Sequence, residues 1–134
     1  MSSLNLKKPR VIIESPFAAD TNGNRIYLHR CIRDSVGRGE APLASHGFYP
    51  QFLDDSNPNE RRLGIECGLC WALLADRQVF YTDLGWSPGM LLALHDFVLV
   101  YQQPFQIRGL DRPPQLPATL DEDIEALLRH HMET

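Results

Sequence analysis

The hydrophobic pattern begins with Val11-Ile12-Ile13, three β-branched residues entered from Lys7-Lys8-Pro9-Arg10 and left through Glu14-Ser15-Pro16-Phe17. An unbroken apolar run of this kind predicts a strand buried on both faces, as in a parallel sheet. A turn cluster with several capping residues, Asp20 to Asn24, precedes a helix expected over Arg25 to Arg38. Its apolar positions Leu28, Cys31, Ile32 and Val36 recur at helical spacing, and Gly39 suits the stop. Ala41 to Ser45 predicts a short second strand. His46 to Ser56 has no period and predicts a loop that carries Phe48, Tyr49 and Phe52. Asn57-Pro58-Asn59-Glu60 reads as a helix start, with Asn as cap, Pro at the first helical position and Glu two further on. That helix is expected to run to about Ala75, with Leu63, Cys67, Cys70, Trp71 and Leu74 as its core-facing stripe. Val79 to Thr82 predicts a third strand. Ser87 and Pro88 open a helix to about Tyr101 that is apolar nearly all round, and Phe105 to Arg108 predicts a fourth strand.

Strands alternating with helices predict an α/β fold: a small Rossmann-like parallel sheet of order about 2-1-3-4 with helices on both faces. Residues 1–110 form the expected domain. Residues 111–134 are expected to be a Pro-rich linker and a last helix, opened by the capping box Thr119 to Glu122 and running to about His131. The helix over 91–101 carries more apolar surface than one sheet face can cover, which predicts a homo-oligomer.

Composition narrows the class. The chain has 134 residues, enough for one domain with a real core. Its net charge of -4 argues against nucleic acid as a partner. No apolar run nears the ~18 residues of a membrane span and no signal-peptide core is present, so no membrane association and a cytoplasmic location are expected. The three cysteines, an odd number, fit a reducing compartment. Cys67-Gly68-Leu69-Cys70 lacks the second ligand pair that a zinc site requires, and no metal or cofactor is expected.

Candidate chemistry gathers where strands end, because ligands in open α/β sheets bind beyond the carboxyl ends at the switch point. Glu14 either takes hydrogen bonds from a ligand's hydroxyls or pairs with an arginine such as Arg25 or Arg30. Ser15, Pro16 and Phe17 continue that edge. Asp83-Leu84-Gly85-Trp86-Ser87-Pro88-Gly89-Met90 is a glycine-bearing turn into a helix, whose first N–H groups suit a phosphate or carboxylate; Asp83, Gly85, Trp86, Ser87, Gly89 and Met90 are the candidate binding residues. His46 and Tyr49 add an imidazole and a ring for stacking on a base. Glu66, one position from the stripe of its helix, is either a second carboxylate beside Glu14 or a surface residue.

Val11-Ile-Ile-Glu-Ser-Pro-Phe17, Arg33-Asp-Ser-Val-Gly-Arg-Gly-Glu-Ala-Pro-Leu-Ala-Ser-His46 and Tyr81-Thr-Asp-Leu-Gly-Trp-Ser-Pro-Gly-Met90 together resemble a phage and prophage family of unknown function, over about residues 8 to 110. That family is similar in architecture to the nucleoside 2-deoxyribosyltransferases. The resemblance implies a nucleotide-like ligand and sites formed between subunits. In the transferases a glutamate near the start of the helix after the glycine-bearing turn attacks the sugar C1′. Here that position falls on Ala93, and no carboxylate occurs from Leu84 to His95. The expectation is therefore a binder that sequesters a nucleotide-derived molecule, as a phage anti-defence sponge for an ADP-ribose-type signal. The alternative is a transferase-like or N-glycosidase enzyme using Glu14 or Glu66.

Overall fold

The computed structural model describes residues 3–16, 22–118, 125, 126 and 129. Its elements are β1 (Arg10–Glu14), α1 (Asn22–Gly37), β2 (Ala41–Leu43), α2 (Pro58–Ala72), β3 (Arg77–Tyr81), α3 (Pro88–Ala93) and β4 (Phe105–Arg108). The four strands are all parallel, in the order β2-β1-β3-β4, as the alternation of strands and helices requires. Short 3-10 turns at Ser45–Gly47 and Tyr49–Gln51 shape the loop after β2, and α3 continues into a π-helical stretch over Leu94–Val100.

Alternation along the strands sorts the core into two layers. Val11, Ile13, Val79 and Tyr81 pack with Tyr27, Leu28 and Cys31 of α1. Ile12, Phe80, Phe105 and Ile107 pack on the other face with Ala72 of α2 and with Met90, Ala93, Leu94, Phe97 and Val98. Helix starts follow the local chemistry. Asn57 caps α2 by accepting from the N–H groups of Asn59 and Glu60, and Ser87 caps α3 by accepting from Met90 N–H, with proline at the first helical position of both.

One expectation changes. The stripe Leu63, Cys67, Cys70, Trp71 and Leu74 does not face the core: all five side chains are exposed. The helix turns Gly64, Gly68 and Ala72 inward instead. A Cβ on Gly68 would stand 2.9 Å from Ser45 Oγ, and one on Gly64 3.3 Å from Leu53, so only small residues permit this approach. The periodicity was genuine, but the large side chains lie on a neighbouring flank of the helix.

The Pro-rich stretch is anchored to the sheet at its start. Asp83 accepts from the backbone N–H groups of Leu110 (2.7 Å), Asp111 (2.9 Å) and Arg112 (2.9 Å). Thr82 Oγ1 accepts from Gln115 N–H at 3.0 Å, and Trp86 Nε1 donates to Gln115 C=O at 2.8 Å. Residues 110–115 are thus tied to the end of β3. Most of the residues expected to form the last helix, including its expected start at Thr119 to Glu122, lie outside the described residues; Glu125, Ala126 and Arg129 are helical, and Arg129 pairs with Glu125. Truncation after Gly109 is expected to leave a cooperative unfolding transition but to lower stability by about 2–4 kcal/mol, because it strips three donors from a partly buried carboxylate. Urea unfolding of the truncated chain measures this, and a loss below about 0.5 kcal/mol would show that the clamp contributes nothing.

Candidate functional site

The strand order reverses between β1 and β3, so the switch point at which sheets of this kind bind ligands lies beyond Glu14 and Tyr81. Glu14 is the last residue of β1 and lies in register with Phe80, on the face covered by α2 and α3. Among the described residues its carboxyl makes no hydrogen bond or ion pair. Arg30 pairs with Asp111 at 2.8 Å, and Arg25 donates to Asn22. Glu14 is half-buried, yet desolvation by the surrounding protein raises its pKa from 4.5 to about 8. At neutral pH it is mostly a carboxylic acid, able to donate as well as accept.

Ser15 follows on the opposite face and is buried. Its hydroxyl lies 3.0 Å from His46 Nε2. The loop that carries His46 is wedged at both ends. A Cβ on Gly47 would stand 2.5 Å from a Leu28 methyl of α1, and Ser45 touches Gly68 of α2. Burial pushes the His46 pKa down to about 4, so the imidazole is neutral at physiological pH. The carboxyl end of β1 therefore carries a protonated acid on one face of the sheet and a hydroxyl–imidazole pair on the other, the imidazole held by a glycine-packed loop.

The other sequence candidates have different surroundings. Pro16 is half-buried beside Ser15, and Phe17 lies outside the described residues. Tyr49 turns toward α2, where its hydroxyl accepts from Trp71 Nε1 at 3.0 Å. Asp83 is saturated: Tyr27 OH donates to it at 2.7 Å alongside the three backbone donors. Partial burial works to raise its pKa, but those donors outweigh it and hold the value at about 2. Gly85 has φ +88°, the left-handed region that favours glycine, and its N–H donates to Thr82 C=O. Trp86 stacks on Phe80 with ring centroids 5.2 Å apart. Ser87 is occupied as the cap, Gly89 is exposed and Met90 is core. Ala93 is also core. Glu66 is exposed and paired with Arg62 at 3.0 Å, about 200° around α2 from the inward Gly68.

Sequence reasoning missed a buried ionic network. Arg108 of β4 donates bidentately to Glu40 (2.8 and 2.6 Å), and Glu40 also accepts from Ser35 Oγ at 2.8 Å. Tyr81 OH lies 3.1 Å from Arg108 and donates to Asp34 at 2.7 Å. The signal available was Glu40, a charge wedged between the end of α1 and an apolar strand. Arg108 at the end of a buried strand gave a second clue.

Among the described residues no group of three or more His, Cys, Asp or Glu side chains is placed to hold a metal ion, and no helix is long and apolar enough to cross a membrane. The curated proteins contain no match to this sequence. Residues 9–97, from the entry to β1 through Phe97 and including Glu14, Ser15 and His46, match a protein family described as "Domain of unknown function (DUF7768)". With well over half of its length matched, the chain belongs to that family.

Proposed function

We propose that the chain binds a nucleotide-derived small molecule at the carboxyl edge of the sheet and releases it unchanged. The observation that carries this reading is the desolvated, largely protonated carboxyl of Glu14 at the switch point, on a strand end whose next residue, Ser15, meets His46 on the opposite face. An uncharged acid can hydrogen-bond a ribose hydroxyl in both senses. A neutral imidazole adds a further polar contact without the desolvation cost of a charge. Sequestration rather than turnover is supported by α3, which offers no carboxylate and buries Ala93 in the core. With the likeness to phage and prophage proteins, this fits a sponge that removes an ADP-ribose-type signal of host defence.

One observation favours a second reading. A carboxyl with a pKa near 8 is suited to act as a general acid on an N-glycosidic bond. Glu14 would then act without Glu66, which faces solvent.

The test is thermal scanning with ADP-ribose, its cyclic isomers and deoxynucleosides, followed by chromatography of the mixtures. A ligand at about 100 times its dissociation constant should add roughly 2.7 kcal/mol, a melting shift on the order of 10 °C for this chain length. The ligand should return intact. Release of free base in proportion to protein, abolished in Glu14→Gln, would install the enzyme; no shift with any of these compounds would remove both readings.

A further inference from the structure

We propose that two copies of this chain associate through the outer flank of α2, antiparallel and about a twofold axis near Cys67. This stands apart from the ligand reading and rests on three features of one side of the domain. The first is area. Leu43 (39%), Phe48 (49%), Phe52 (68%), Leu63 (51%), Trp71 (54%) and Leu74 (65%) are all substantially exposed there, joined by the exposed Cys67 and Cys70. At on the order of 200 Å² for a large side chain in full exposure, the six amount to on the order of 700 Å². That approaches the ~800 Å² that each partner contributes to a standard interface, and exceeds what a monomer usually leaves open in one patch. The surface is continuous. Tyr49 links the aromatic loop to Trp71, and a groove of about 190 Å³ between Trp71, Leu74, Ile12 and Leu43 joins α2 to the sheet edge.

The second feature is the pattern on the helix. Positions 60, 63, 67, 70 and 74 are spaced three and four apart, which is the seam of a two-helix packing. Because α2 meets its own domain through Gly64, Gly68 and Ala72, this seam is left for an outside partner. Strand addition at the neighbouring edge is disfavoured: β2 is three residues long with Pro42 at its centre, a residue with no N–H to offer. A helix is therefore the fitting occupant.

The third feature is charge, which sets the direction. Near the start of α2, exposed Asp54 and Asp55 join Glu60, while Arg62 is already paired with Glu66 and only Arg61 opposes them. At the other end Arg10 borders the same groove and is exposed, preceded in sequence by the exposed Lys7 and Lys8, with Asp76 as the acidic neighbour. Antiparallel pairing brings the acidic end of each copy to the basic end of the other. It sets Leu63 against the partner's Trp71, and Cys67 against the partner's Cys67. A parallel arrangement would align like charges.

Size-exclusion chromatography with light scattering at about 100 μM should give twice the 15.3 kDa chain mass. The double variant Leu63→Glu, Leu74→Glu should weaken self-association at least ~100-fold while the melting midpoint of dilute protein stays within a few degrees, since both side chains are exposed. Should that variant fail to fold, cross-linking of otherwise native protein decides. A short bismaleimide should join two copies of Cys70→Ser through Cys67, and should not join copies of Cys67→Ser. A wild-type monomer at 100 μM, a dimer that survives both glutamates, or cross-linking indifferent to Cys67 would each overturn the proposal.

Discussion

Glu40→Ala is expected to lower stability by about 3–5 kcal/mol, because it leaves the Arg108 guanidinium buried without its bidentate partner. For a domain of this length that is a fall in melting temperature on the order of 10–15 °C. Gln106 and Tyr81 still face Arg108, but neither carries a compensating charge. Replacing both members by methionine should cost far less, since a buried pair is expensive mainly when half of it is removed. The pH dependence has a definite sign. Arg108 first of all, then Ser35 and Arg77, hold the Glu40 pKa below its ordinary 4.5 despite the opposing cost of burial. The pair therefore contributes stability that is present above pH 4.5 and is lost as pH falls through the lower folded value. Urea unfolding of the wild type and Glu40→Ala from pH 3 to 7 measures both effects. A loss under about 1 kcal/mol at pH 7, or an unchanged acid slope in the variant, would show that Arg108 does not depend on Glu40.

That network marks one limit of what the sequence made legible. Strand positions, the parallel order 2-1-3-4 and the caps at Asn57 and Ser87 follow from local rules: β-branched runs, alternation with helices, and side chains that satisfy orphan N–H groups. Glu40 and Arg108 are 68 residues apart, and no local rule pairs them. Position 108 shares a sheet face with Tyr81 only once the register is fixed. The α2 stripe shows another limit. Periodicity finds an apolar flank but not what it meets, and the contacts of Gly64 and Gly68 decided which side went in. The hydrogen bonds that join residues 110–115 to Thr82, Asp83 and Trp86 were not legible either, because they depend on where β3 ends.

The candidate site was legible in part for the same reason. Glu14 stands out in sequence as a carboxylate closing a buried strand, and desolvation by burial in the fold is what raises its pKa. His46 was a loop residue with no stated contact until the glycine-packed turn set it against Ser15. Asp83 and Trp86 looked equally suited to a ligand, but the chain's own backbone at 110–115 occupies them. An N–H-rich turn and a saturated carboxylate read alike in one dimension.

Glu14→Gln is expected to raise stability by less than about 1 kcal/mol at pH 5 and by about 2–4 kcal/mol at pH 8.5. The folded carboxyl titrates near 8 and the unfolded one near 4.5. Below 4.5 both states are protonated, and burial costs no charge. Between the two values the unfolded chain loses its proton while the folded chain keeps it, so the wild type weakens steadily as pH rises. A separation of this size corresponds to at most about 5 kcal/mol, at 1.36 kcal/mol per pH unit. Water that reaches this half-buried group lowers the expected gain to the range given. Glutamine keeps the shape and cannot ionise, so the variant should lack the slope. Guanidinium unfolding of both proteins at half-unit steps from pH 5 to 9 would draw the two curves. Parallel curves would mean that Glu14 ionises normally, and the protonated acid that underlies the binding proposal would be absent. Diverging curves with the predicted sign would mean that the fold holds a desolvated acid at its switch point at a cost in stability, as functional groups commonly require.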